Sequence, residues 1–167
     1  MWWILSIVAI FVAVIAVVAI VGMLMPQSHI VSRSVQVKQS PDVIFNAITD
    51  WTSFPNWREG VKGVKERTGE AGRVSWIEVT SFGEIPLEIL ESHSPDKLVV
   101  RIADPKLPFG GIWTYDIQPA PGGGSTFTIT EAGDVYNPIF RVMSKYIFGH
   151  AATIEAYQRS LKKKFGE

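Results

Sequence analysis

The sequence predicts an α+β protein: one membrane-spanning helix, then a single domain with a curved seven-stranded antiparallel sheet, two short helices and a long C-terminal helix. Three observations carry that prediction. From Trp2 to Met25 the chain is uncharged and apolar apart from Ser6. From Val61 to Tyr136 it reads as short alternating runs separated by glycine, proline and aspartate turns. From Asn137 onward apolar residues recur at steps of three and four, the period of a helix.

The apolar segment WWILSIVAIFVAVIAVVAIVGMLM is long enough to cross a hydrocarbon core about 30 Å thick, which needs roughly 20 apolar residues. In hydrocarbon the backbone must satisfy its own hydrogen bonds, so helix is the conformation expected despite the many β-branched residues. Trp2 and Trp3 suit an interfacial belt, and Pro26 marks the other end. A secretory signal peptide would place Lys or Arg before a shorter apolar run and small residues at a cleavage site, and this segment has neither. A buried core helix is rarely apolar on every face. The expected organisation is a retained anchor over residues 1–26 and one domain over 27–167. Arg33 and Lys38 follow the apolar run closely, so the positive-inside rule favours a single-pass protein with a cytoplasmic domain.

The 16 basic and 16 acidic residues all follow the anchor, which leaves the domain without net charge. A nucleic-acid binder would show a basic stripe, and none is present. The chain has no cysteine, which excludes disulfides, thiolate metal ligands and a thiol nucleophile. His29, His93 and His150 lie far apart without metal-ligand spacing, so neither a metal nor another cofactor is expected.

In chain order, His29–Lys38 alternates with Val31, Val35 and Val37 on one face, a strand. Ser40-Pro41-Asp42 opens a helix, with Ser as cap, Pro in the first turn and an acid at the positive end of the dipole. Trp51, Phe54 and Trp57 cluster around Pro55 in a second short helix. Strands follow at Val61–Arg67, Arg73–Thr80, Ile85–His93, Lys97–Ala103, Gly111–Gln118 and Ser125–Val135, with connections short enough for an antiparallel meander. In the last segment Ile139, Met143, Tyr146, His150, Ile154, Tyr157 and Leu161 form one helical stripe, with Gly149 a point of kinking or breakage.

The stretch SVQVKQSPDVIFNAITDWTSFPNWREGVKGV resembles the start of a START-like, or SRPBCC, helix-grip domain: strand, Ser-Pro helix start, aromatic bend, strand. PFGGIWTYDIQPAPGGGSTFTITEAG is similar to that superfamily's penultimate hairpin, and YQRSLKKKF to the end of its gripping helix. The superfamily holds polyketide cyclases/dehydrases and lipid-transfer proteins. The resemblance covers roughly Ile30 to Phe165 and implies a hydrophobic cavity between sheet and helix. The anchor is not part of that pattern.

Trp76, Trp113, Tyr115, Phe127, Ile129, Tyr136, Met143, Tyr146 and Ile147 are either the lining of such a cavity or ordinary core. Glu131 continues the phase of Phe127 and Ile129. It either enters the interior, where desolvation raises its pKa, or is carried to solvent by strand twist near Gly133. Glu78 is a similar case, in phase with Val74 and Trp76. His150 sits on the helical stripe as a core residue or a donor to ligand. Leu107 and Phe109, among prolines and glycines, plug the core or close a cavity mouth. Arg159, Lys162, Lys163 and Lys164 complement the helix dipole or face anionic lipid. With no nucleophile–base pair or phosphate loop, the expected function is non-catalytic binding of a lipid or other hydrophobic small molecule at a membrane. The alternatives are a cyclase or dehydratase acting through Glu131 or His150, and a structural module with a filled interior.

Overall fold

A computed structural model describes residues 2–167. Helix α1 covers Trp2–Leu24, followed by β1 (Ser28–Val37), α2 (Pro41–Thr49) and a 3₁₀ turn (Trp51–Asn56). The strands β2 (Val61–Thr68), β3 (Val74–Thr80), β4 (Gly83–His93), β5 (Lys97–Ile102), β6 (Phe109–Pro119) and β7 (Ser125–Val135) come next. The chain ends with α3 (Pro138–Met143), a π turn (Ser144–Phe148) and α4 (Ala152–Lys164).

All seven strands join one antiparallel sheet in the order β1-β7-β6-β5-β4-β3-β2. Strands β2 to β7 form the expected meander, but β1 lies beside β7 rather than beside β2. The segment between β1 and β2 holds α2 and the aromatic turn, so it carries the chain from one sheet edge to the other. Register is set on both faces of the β1–β7 pair. Inside, Val35 lies opposite Phe127, and Phe127 opposite Ile117. Outside, Ser32 and Ser34 meet Thr130 and Thr128 at 2.9 and 2.8 Å, and Gln36 donates to Thr126 at 2.8 Å. A one-residue slip would exchange these faces.

The core lies between the inner sheet face, α2 and α4. Ile44, Phe45 and Ile48 of α2 are buried, as are Ile154, Tyr157 and Leu161 of α4. The Tyr157 ring sits 5.5 Å from Tyr115, 5.7 Å from Trp57 and 6.2 Å from Phe127. Fully burying one such aromatic or aliphatic side chain stabilises the fold by about 1.5–3 kcal/mol. Pro41 starts α2 as expected, but Ser40 makes no side-chain cap there. Asn137 does cap α3, accepting from the amides of Ile139 (2.9 Å) and Phe140 (3.2 Å).

The C-terminal segment departs from the single long helix expected. Gly149 takes φ +75°, a left-handed conformation that ends the helix, and the π turn before it widens the spiral. Of the predicted stripe only Ile154, Tyr157 and Leu161 reach the sheet core; Tyr146, together with its neighbour Ile147, is turned outward, 67% and 68% exposed. Helix α4 alone grips the sheet.

Helix α1 is long and apolar enough to cross a membrane, and its most apolar window is not buried against the domain. Only its C-terminal end is engaged. Gly22 is buried against α3, where a Cβ would overlap the Pro138 carbonyl. Arg141 donates to the Gly22 and Met25 carbonyls at 3.2 and 3.4 Å, and to Val135 and Tyr136 carbonyls at 2.7 and 3.1 Å. A cation at the last carbonyls of a helix satisfies otherwise unpaired acceptors and opposes the negative end of the dipole. Helix α1 is thereby joined to the end of β7 without a free linker.

Candidate functional site

The two halves of the inner face differ. Beneath α4 the space is filled by Tyr115, Phe127, Ile129, Ile154, Tyr157 and Leu161, each 7% exposed or less. Toward α3 the covering helix is broken, and Val31, Leu87, Trp113 and Met143 are only half-buried. Glu131 lies at this looser end, opposite Trp113 on β6 and Val31 on β1.

Strand alternation carries Glu131 inward after Phe127 and Ile129, and its side chain is 17% exposed. Burial pushes its carboxyl up to about 7, with the neighbouring Trp113 side chain opposing. The nearest basic nitrogen in the site is Nε2 of His29, 3.8 Å from Oε1. The His29 ring stacks on His150 with centroids 3.9 Å apart. Burial lowers the pKa of both imidazoles; proximity to His150 adds to this at His29, and Lys145 adds to it at His150. Gly133 makes the cluster possible: a Cβ there would lie 2.6 Å from the His29 ring and 2.9 Å from Oε1 of Glu131. At neutral pH the site therefore combines a partly protonated carboxyl with two neutral imidazoles, able to donate and to accept.

Beside the two histidines a pocket of about 150 Å³ runs to the root of α1, lined by Gln27, Ser28, Arg141, Ser144 and Lys145 among others. A wider depression of about 470 Å³ lies where the 3₁₀ turn meets α4, bounded by Trp57, Arg58, Arg159 and Lys163. Among the described residues no group of three His, Asp or Glu side chains is placed to hold a metal.

Glu78 also faces inward, but it is committed. It pairs with Arg58 and accepts from the Trp76 indole at 3.3 Å, while the Arg58 guanidinium lies 4.7 Å over Phe54 and 4.4 Å over Tyr157. Burial works against the Arg58 charge, and Glu78, with Tyr157 and Tyr115, more than restores it. This pair belongs to the packed core.

The predicted residues thus fall into separate groups. Trp76, Tyr115, Phe127 and Ile129 are buried in the solid core; Trp113, Glu131 and, through His29, His150 gather at the looser end; Met143 is half-buried at the end of α3; Tyr136, Tyr146 and Ile147 face outward. No sequence pattern marks His29, Arg58 or Arg141 as members of a site. The one signal for His29 is its phase with Val31 and Val35. Leu107 and Phe109 are half-buried where β6 begins, and Lys164 lies 5.3 Å over the Trp57 ring.

The titration of Glu131 has a stability consequence. A carboxyl near 7 in the fold and near its ordinary value when unfolded holds its proton more tightly in the folded state. Folded stability should therefore fall as pH rises from about 4.5 through about 7, by up to about 3 kcal/mol, and level off above. Glu131→Gln removes that dependence. Thermal melts at pH 5 and pH 8 should show the parent losing stability relative to the variant; parallel curves would mean that Glu131 is not buried as an acid.

A family model described as polyketide cyclase / dehydrase and lipid transport matches residues 28–163. Among solved structures, a START superfamily protein from Mycobacterium smegmatis is 16% identical at TM-score 0.65, covering 81% of this chain and 96% of that one. The di-domain ARO/CYC StfQ from the steffimycin biosynthetic pathway is 13% identical at TM-score 0.65, covering 84% of this chain and 53% of that one. A hypothetical protein from Helicobacter pylori is 9% identical at TM-score 0.67, covering 81% and 87%. At these identities the likeness is one of fold. No curated protein sequence matches the chain.

Proposed function

The chain belongs to the polyketide cyclase/dehydrase and lipid-transport family, and from that premise we propose that it is a membrane-anchored domain that binds an apolar molecule with one polar group, without catalysis. The observation that carries this reading is Glu131, a carboxyl kept near 7 by burial among half-covered apolar side chains. A protonated acid in such surroundings orients a ligand oxygen by hydrogen bonding at little desolvation cost to either partner. Trp113, Met143 and His150 complete the contact surface, and the break at Gly149 leaves the helix above them incomplete. Helix α1 spans the bilayer and holds the site beside a supply of apolar ligands.

A second reading has its own support. Glu131, its carboxyl held near 7, stands 3.8 Å from the imidazole of His29, which burial keeps neutral, and a carboxyl poised beside a base is what proton transfer in a cyclase or dehydratase requires.

One experiment separates the two. The protein is purified from membranes in mild detergent, and bound compounds are identified by mass spectrometry. Binding predicts that one class of apolar molecule dominates, is reduced in Trp113→Ala, and persists at modestly altered occupancy in Glu131→Gln. If the parent instead converts that compound and Glu131→Gln slows turnover by about 10²–10⁴ while still binding it, the enzyme reading replaces the first. A parent that carries and takes up no apolar compound overturns both.

A further inference from the structure

We propose that residues 138–147, α3 and most of the π turn, are a second membrane contact: a wedge lying in the outer boundary of a phospholipid bilayer beside α1. The inference rests on the reading that α1 spans the membrane, and depth follows from helix geometry. At 1.5 Å per residue α1 is about 34 Å long, slightly more than the roughly 30 Å hydrocarbon core it would cross. Its contact with α3 is through Gly22, and the other partly covered positions on this part of the helix are Val18 and Ala19, one turn earlier on the same side. Val18 lies about 9 Å from the end at Leu24. Helix α3 is therefore held where acyl chains give way to headgroups.

The side chains presented at that depth suit it. Ile139 and Phe140 are 36% and 45% exposed, and Tyr146 and Ile147 are 67% and 68% exposed. In water these would form an apolar patch without a partner; beside α1 they extend its lipid-facing surface. Tyr146 is an amphipathic ring of the kind enriched at membrane interfaces, and Lys145, 5.4 Å over that ring, supplies a cation at headgroup level. The Arg141 bonds to the Gly22 and Met25 carbonyls keep the wedge from swinging away from α1.

Because the chain lacks cysteine, single cysteines report cleanly. Phe140→Cys, Ile147→Cys, Val12→Cys and Asp96→Cys are each labelled with nitrobenzoxadiazole and reconstituted in phosphatidylcholine/phosphatidylglycerol vesicles. Lipids carrying a quencher near the headgroup or at mid-bilayer are then included. Labels at 140 and 147 should lose emission to the shallow quencher, and the label at 12 to the deep one. The label at 96, on the exposed β4–β5 turn at the opposite end of the strands from Ser28 and α1, should lose none. Quenching at 12 without quenching at 140 and 147 overturns the wedge while leaving the span standing. Blue-shifted emission at 140 and 147 that neither lipid quenches means that protein covers the patch, and also overturns it. No quenching at 12 removes the spanning helix and the depth argument together.

Discussion

Glu78→Gln should destabilise the domain by about 3–5 kcal/mol, because it leaves the Arg58 guanidinium buried without its counter-charge. The side chains of Arg58 and Glu78 are 14% and 6% exposed, so water cannot replace the lost partner. Arg58 is also held against the Phe54 and Tyr157 rings, 4.7 and 4.4 Å from their centroids. Replacing both members by apolar residues of similar volume, as in Arg58→Met with Glu78→Leu, should restore most of that loss, since the cost comes from the orphaned charge. Urea denaturation of the detergent-solubilised protein, followed by tryptophan fluorescence, measures both variants. A single variant within 1 kcal/mol of the parent would mean that the pair is solvated in solution.

Phe127→Ala should cost about 3–5 kcal/mol, the range for emptying an aromatic site in a close-packed interior. Phe127 is completely buried and packs against Tyr115 and Tyr157 with ring centroids 6.2 Å away. Trp113→Ala, two strand positions from Tyr115 on the same face, should cost clearly less despite removing a larger ring, because Trp113 is only half-buried. The same denaturation curves decide it. Equal losses at the two positions would mean that the end near Glu131 is as tightly packed as the end beneath α4, leaving no space there for a ligand.

Strand alternation made most of the sheet readable, since each strand has one buried face and turn residues mark its ends. For Glu131 the phase of Phe127 and Ile129 pointed inward, but strand twist near Gly133 left a turn to solvent equally open. The partner of β1 was not, because pairing across the length of the domain leaves no mark at short range. Nor did the spacing from Ile139 to Leu161 distinguish a continuous helix from a broken one. A π turn followed by a left-handed glycine preserves the apolar composition of the stripe while rotating Tyr146 and Ile147 outward. The cluster of His29, Glu131 and His150 stayed hidden for the first reason: three residues separated in sequence meet only once β1 is set against β7. Arg58 was hidden for another reason, since it lies in an aperiodic turn where no face can be assigned.

The placement of β1 beside β7 also governs the order in which the molecule can be made. Strands β2 to β7 each bond to a neighbour in sequence, so they can assemble as synthesis proceeds, with only short loops to close. Strand β1 emerges immediately after the apolar helix, yet its hydrogen-bonding partner is the last strand of the sheet, and Val37 must wait for Ser125. Until then β1 stays beside α1 with its backbone unpaired, and β7 presents an open edge to the surroundings. The Ser and Thr hydroxyls that face each other along this seam keep both waiting edges polar on one side. Closing the seam brings His29 to Glu131 and sets α3 against α1, so the site and its attachment to the helix are completed in the same final step.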